Sequence, residues 1–359
     1  MTKDQSYLLA LNRHSGLGSR RLSALKEQYK TWERVWNVSP KDIARALGNE
    51  IADAVSEARN NYSPENEMKI VENVGVNIVE LGTKEYPPLL AELPDSPMIL
   101  YCKGSIESLS GVNVSVVGSR RATQYGYSAT ESIVRPLVRY GISIVSGLAL
   151  GIDSAAHKAA IEGDGKTIGV LACGLDQIYP TSNAQLGQQM LDKGGAIVSE
   201  FAPGIPAYRF NFPVRNRIIA GLSSLTIVVE ALESSGALIT AHAALEYNRE
   251  VGAVPGDIHR PQAKGPLNLI KMGAIPITSA DDVLEALGQT PGVDERQQKN
   301  ITLSGDEKIV LELLSREPVH IDKLAKSAKL DISALNSILV MLELKDAVKN
   351  IGGNQYIKK

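Results

Sequence analysis

The chain has almost nothing with which to cross-link itself. Cys102 and Cys173 are the only cysteines in 359 residues, which excludes a disulfide framework and a four-cysteine zinc site and points to a reducing, cytoplasmic setting. Long apolar runs are missing as well, none approaching the roughly 20 residues of a membrane span. The opening MTKDQSYLLALNRHSG lacks the basic flank and apolar block of an export signal, so none is expected. Aromatic residues make up 5% and include three phenylalanines, too few for a surface of many stacking rings of the kind that sheet- or barrel-based single-strand readers carry. Charge of one sign is also absent. With 38 Lys and Arg against 40 Asp and Glu, the formal charge of −2 excludes a globally basic protein that coats a polyanion. What is left, 43% hydrophobic and 22% charged, is an ordinary globular composition, and the length allows two or three domains.

Texture along the chain divides it. Residues 1–62 read as short helices, with Leu22, Leu25, Val35, Ile43, Leu47, Ile51 and Val55 at helical spacing, and the polar NNYSPENE at 60–67 reads as a joint to the next segment. Residues 63–287 alternate short β-branched runs (VNVSVVG, ISIVSG, KTIGVLAC, GAIVSE, LTIVVEA, EVGAVPG) with helix-length segments. Runs that are apolar on both faces are expected of a parallel sheet covered by helices, an α/β, Rossmann-like fold. Residues 288–302 read as a linker, and residues 303–359 as a winged helix: three helices, then VKNIGGNQYIK folding as two strands about a Gly-Gly turn.

Three stretches carry chemistry. In VVGSRRATQYG, residues 116–126, a buried strand runs into Gly118-Ser119-Arg120-Arg121 and then a helix. Glycine permits close approach, the helix start offers free N–H groups, and an arginine forks onto phosphate. The alternative is a glycine turn with two solvated arginines. A dinucleotide site is not expected, because G-x-G-x-x-G is missing and the next strand, ending in Ser146-Gly147, carries no ribose-binding acid. Asp153 and His157 fall one helical turn apart, and capping or mutual pairing is favoured over a metal because no further ligands have the spacing. The triphosphate-loop look-alike AIEGDGKT is rejected, since it ends a helix instead of opening one.

The second stretch, AYRFNFPVRNRIIAGLSS, holds Arg209, Arg215 and Arg217, and residues 201–229 contain no Asp, Glu or Lys. All three phenylalanines, Phe201, Phe210 and Phe212, lie there. Arginines for phosphates and rings for bases suit a flexible single strand better than a duplex; the alternative is core aromatics with arginines paired to acids elsewhere. Third, Ser234-Ser235-Gly236 follows a strand and opens a helix that could cradle one more phosphate.

GSRRATQYG, IVSGLALGIDSAAH, TIGVLACGLDQIYP, FPVRNRIIAGLS, SGALITAHAA and AVPG, in this order and spacing, resemble the DprA/Smf family of DNA-processing proteins over nearly the whole chain. The resemblance implies a non-enzymatic, cofactor-free homodimer that binds single-stranded DNA, protects incoming DNA and loads the RecA recombinase in natural transformation and recombination. Single-strand-binding protein is a further expected partner. It makes Arg120 the leading phosphate ligand, with Gly118, Ser119, Ser146, Gly147, Arg215, Asn216, Arg217, Ser235, Gly236 and Thr240 in motifs expected to line the pocket. Arg121, Phe210 and Phe212 join them from the residue reading. One position departs: the family lysine after Tyr-Pro is Thr181 here, so its role is expected to be absent or taken over by Arg209 or Lys166. A rival reading is a Rossmann-like nucleotide phosphoribohydrolase, but the signature PGGxGTxxE is not met by SSGALITAHAALE, which ends at Glu246.

The flanks are less telling. HSGLGSRRLSAL resembles a helix-hairpin-helix whose turn, with Arg20 and Arg21, would face a phosphate, although such family units are also described as sterile-alpha-motif-like. Trp32 and Trp36 read as that unit's core. In the winged helix, the expected reading helix DISALNSILVMLELK has one Lys and no Arg, so a protein-contact role is favoured over base reading by Asn336 and Ser337.

Overall fold

The computed structural model of the chain describes residues 2–289, 305–315, 319–328, 330–344 and 347–358. These fall into two compact units, divided between Pro291 and Gly292. The expected linker lies almost wholly outside the described residues.

Six helices open the first unit: α1 (Lys3–Asn12), α2 (Ser19–Tyr29), α3 (Trp32–Asn37), α4 (Pro40–Leu47), α5 (Asn49–Asn61) and α6 (Pro64–Val74). Thr2, Thr31, Ser39 and Ser63 each accept a first-turn N–H through the side chain, which is why α1, α3, α4 and α6 start where they do. The polar joint at 60–67 is therefore not an open spacer. Ser63 caps α6, Pro64 occupies its first turn, and Glu67 is buried against Arg13 at 2.9 Å.

Next come β1 (Asn77–Glu80), α7 (Pro88–Ala91), β2 (Ile99–Gly104), β3 (Asn113–Val117), α8 (Gln124–Arg139), β4 (Ser143–Ser146), α9 (Ile152–Glu162) and β5 (Thr167–Val170). They are followed by α10 (Ala184–Asp192), β6 (Ala196–Ser199), α11 (Asn211–Gly221), β7 (Leu225–Val228), α12 (Gly236–Glu246), β8 (Glu250–Ala253), α13 (Lys264–Lys271), β9 (Ile275–Pro276) and α14 (Ala280–Ala286). The nine strands form one sheet in the order β1-β2-β6-β5-β4-β3-β7-β8-β9, parallel from β6 to β9 and antiparallel at the β1 and β2 edge. From β3 the chain winds outward through β4, β5 and β6, then returns beside β3 as β7. The order reverses there, and open α/β sheets bind ligands in the crevice beyond the strand carboxyl ends at such a switch point.

The strands are buried on both faces, as their composition predicts. Alternate residues serve alternate cores. Leu100 and Cys102 pack with α7, α11, α12 and α13 on one face, whereas Ile99 and Tyr101 pack with the amino-terminal helices on the other. Leu8, Leu11, Trp32 and Val55 thus share one continuous core with Leu171, Cys173 and Ile197. Helices α8, α9 and α14 cover the rest of that face.

The second unit has its own core, built from α15 (Gly305–Leu313), α16 (Ile321–Ala328), α17 (Ile332–Leu344), β10 (Val319–His320), β11 (Val348–Gly352) and β12 (Gln355–Lys358). Gly352 and Gly353 take positive φ in the β11–β12 turn, the winged-helix layout expected.

Candidate nucleic-acid interface

The loop leaving β3 is stapled from two sides. Ser119 donates its N–H to the Glu230 carbonyl beyond β7 (2.7 Å) and accepts on its own carbonyl from the Ile152 N–H that opens α9 (3.1 Å). Packing requires the glycines here: a Cβ on Gly118 would lie 2.6 Å from Ile152 Cγ1, and one on Gly151, at φ +80°, 2.1 Å from the Ser119 carbonyl oxygen. The Glu230 carboxylate completes the turn, accepting from the Thr123 N–H (2.9 Å) and hydroxyl (2.5 Å) at the start of α8. With its backbone held, the loop turns Arg120 outward.

Arg120 overhangs a cleft of about 210 Å³. Gly118, Arg120, Phe212, Arg215, Asn216, Ser235, Gly236 and Thr240 all line it, so half of the sixteen expected residues meet in one place. The Arg120 guanidinium sits 5.1 Å from the Phe212 ring centroid, and Arg215 lies 5.9 Å from the same ring. Tyr179 meets that ring edge-on at 5.9 Å. Gly236 opens α12 with empty space where a Cβ would stand, so the helix start is sterically accessible, although Ser235 caps it by accepting from the Ala237 N–H (3.3 Å).

Arg120 and Arg215 differ in kind. Arg120 is exposed, with no acid partner among the described residues. Arg215 is buried and holds the back wall, donating to the Gly147 carbonyl (2.8 Å), the Val170 carbonyl and Asn216 Oδ1 (3.1 Å), while Asn216 donates to the Gly236 carbonyl (3.1 Å). Burial pulls the Arg215 pKa down to about 10, opposed by the Asp153 carboxylate and reinforced by the Arg120 charge. Asp153 is raised above the ordinary carboxylate range by burial, against Arg215 and the N–H groups of Ala149 and Gly147.

Other expected residues sit elsewhere. Ser146 is buried and donates to the Val116 carbonyl (2.7 Å), and Gly147 gives its N–H to Asp153 (3.1 Å), so both are scaffold behind the cleft. Arg121 and Arg209 are exposed, and Phe210, 69% exposed, stacks on Tyr208 at 5.3 Å just before α11. Arg217, two residues beyond Arg215 and so about 200° around the helix, faces away. It pairs with Glu200 and donates to the Asp95 carbonyl (2.6 Å) and to Ser19 (3.3 Å). Lys166 precedes β5, at the opposite edge of the sheet, about 13 Å away by strand rise.

The Asp153–His157 pair does not form. His157 meets Thr167 Oγ1 at 2.6 Å and the Leu148 N–H at 3.4 Å, and burial holds it neutral with a pKa near 3. No group of three or more His, Cys, Asp or Glu that could hold a metal occurs among the described residues. Sequence reasoning missed the structural work of Glu230 and Tyr179, and it gave Asp153 a structural role with other partners than the Gly147 and Ala149 N–H groups it accepts from. Glu230 was findable as the acid that ends the buried run LTIVVE at the sheet's carboxyl edge.

The profile of the DNA recombination-mediator protein A family matches residues 77–288, and that of the DprA winged helix domain matches residues 294–354. The chain belongs to the DprA/Smf family. Protein Smf of Synechocystis is 33% identical over 396 aligned positions, covering 99% of each chain. The X-ray structure of DprA from Streptococcus pneumoniae superposes with a TM-score of 0.70 at 35% identity, covering 78% of this chain and 97% of that one. A Helicobacter pylori DprA structure, titled for its single-stranded DNA binding mode, aligns with a TM-score of 0.53 at 30% identity, covering 60% and 97%. In this DprA/Smf chain, Thr181 after Tyr179-Pro180 is exposed and opens a short 3-10 turn. Lys166, at the amino end of β5, lies away from the cleft, so what remains of the expectation is Arg209 or the absence of that role. No helix among the described residues is long and apolar enough to cross a membrane.

Proposed function

We propose that this DprA/Smf chain binds single-stranded DNA without sequence preference, protects it and hands it to the RecA recombinase. The observation that carries the reading is Arg120: an exposed guanidinium with no acid partner among the described residues, poised over an aromatic ring at the mouth of a cleft whose far wall is the sterically open, Ser235-capped start of α12. Phosphate charge pairing and base stacking are thereby offered side by side, an arrangement open to a flexible strand and closed to stacked, paired bases. The homodimer, RecA and single-strand-binding protein remain partners of the same proposal, testable by RecA-filament formation on strand already coated with that protein.

Binding is favoured over nucleotide hydrolysis because the one acid lining the cleft, Asp153, is buried behind its wall and engaged by backbone N–H groups. Glu246, the acid of the rival reading, ends α12, about 15 Å along the helix from Gly236. The test is affinity for oligo-dT against a same-length duplex across a salt series. Expected are preference for the single strand, a log–log salt slope of about −0.7 per phosphate contact, and an Arg120→Ala protein with weaker binding and a shallower slope. Equal affinity for the duplex, or wild-type binding by Arg120→Ala, overturns the reading.

A further inference from the structure

A second cleft, of about 490 Å³, lies between α8 and α9, and Arg120 lines it too. We propose that it is a second nucleotide subsite for the same strand, so that Arg120 holds the phosphate passing from one cleft to the next. The inference rests on the single-strand reading of the first cleft.

The volume falls within the range of sites that enclose a small ligand. Its chemistry is that of a nucleotide. Lys158, exposed on α9, has no acid partner among the described residues. The two lining acids, Glu131 and Glu162, are both engaged by Arg135, the first at 3.0 Å. Arg120, Lys158 and Arg135 against those two acids leave one positive charge unmatched, which suits a phosphodiester. Tyr127 and Leu150 line the same cleft and are 41% and 48% exposed. A ring and an apolar side chain left in water at a site with surplus positive charge supply a face for one base.

Geometry gives the order of contacts. Gly151, at the start of α9, packs directly against Ser119 and Arg120, so the two clefts meet at that point with no element between them. A strand leaving the first cleft over Arg120 then lies beside Tyr127 and Lys158 without crossing the sheet.

The test uses the full chain and three variants beside Arg120→Ala: Lys158→Gln, Lys158→Arg and Tyr127→Ala. Affinity for oligo-dT and for an abasic oligomer of the same length is measured across salt. Lys158→Gln is expected to make the log–log salt slope shallower by about 0.7 on both oligomers, with Lys158→Arg restoring it. Tyr127→Ala is expected to weaken oligo-dT binding about fivefold or more and to leave the abasic oligomer unchanged. If Lys158→Gln and Tyr127→Ala both bind as wild type while Arg120→Ala is weakened, the second subsite is overturned and the first cleft stands. If Arg120→Ala itself binds as wild type, the parent reading falls and this one with it.

Discussion

Two arginines in adjoining motifs have opposite duties, and a substitution separates them. Arg215 donates to the Gly147 and Val170 carbonyls and places its charge in the field of buried Asp153, so Arg215→Met removes both donors and that favourable charge. Losing those buried hydrogen bonds together with the charge costs about 3–5 kcal/mol. In urea, Arg215→Met is expected to lose that much unfolding free energy, and Arg215→Met with Asp153→Asn to lose less than the single change; Arg120→Ala, exposed, should leave the urea midpoint where it was. A stable Arg215→Met protein that fails only to bind would contradict the back-wall role. His157 gives a pH signature. Its folded pKa near 3 lies below the ordinary 6.5, so the unfolded chain binds the proton first and stability falls as pH drops from about 6.5 towards 3. The slope is about 1.4 kcal/mol per pH unit for one proton. Asp153 and Glu200, raised by burial, act in the other direction, so the measurement is a difference: wild type should lose stability more steeply with acid than His157→Gln over that window.

At the scale of elements, legibility in the sequence came from burial. The parallel strands announced themselves because both faces are apolar, and the winged helix because its periodicities switch from helix to strand around a Gly-Gly turn. The antiparallel edge at β2 was not legible, since ILYCKG sits among prolines and loops and its two faces serve different cores. The arginine stretch misled for a geometric reason: an acid-free run of sequence looks like one patch, yet a helix sends positions 215 and 217 to opposite sides. Lys166 stands at the amino end of β5 while the cleft lies beyond the carboxyl ends of the strands, a placement that residue charge alone does not carry. The amino-terminal helices looked separable by composition, but their core continues into the sheet. Trp32, fully buried, also donates its indole N–H to Glu80 on β1 at 2.8 Å. Trp32→Ala is therefore expected to cost about 3–5 kcal/mol and to lower a single unfolding transition, followed by far-UV circular dichroism. Early melting of the helices alone, with the sheet transition unmoved, would show that the shared core does not couple them.

For the whole molecule, a net charge of −2 and a strand-binding site are compatible because charge is distributed unevenly between surfaces. The cleft region presents Arg120, Arg121, Arg209 and Lys158 exposed, whereas the exposed lysines described in the second unit, Lys308, Lys323, Lys326 and Lys358, stand among the acids Asp306, Glu312, Asp322, Asp331 and Glu343. Helix α15 carries Lys308 against Asp306, Glu307 and Glu312, and α17 carries Glu343 with no Lys or Arg. Helix α17 exposes Ile332, Val340 and Met341 as well, an apolar surface with no electrostatic footprint for nucleic acid. A chain ending at residue 289 keeps the first unit's core intact, and it should bind oligo-dT within about twofold of the full chain with the same salt slope, since no phosphate contact is removed. A slope shallower by one contact or more would place part of the strand on the winged helix and restore base or backbone reading by Asn336 and Ser337, both exposed on α17. An unchanged slope leaves the winged helix for contact with protein, where exposed apolar side chains on a charge-poor helix contribute most.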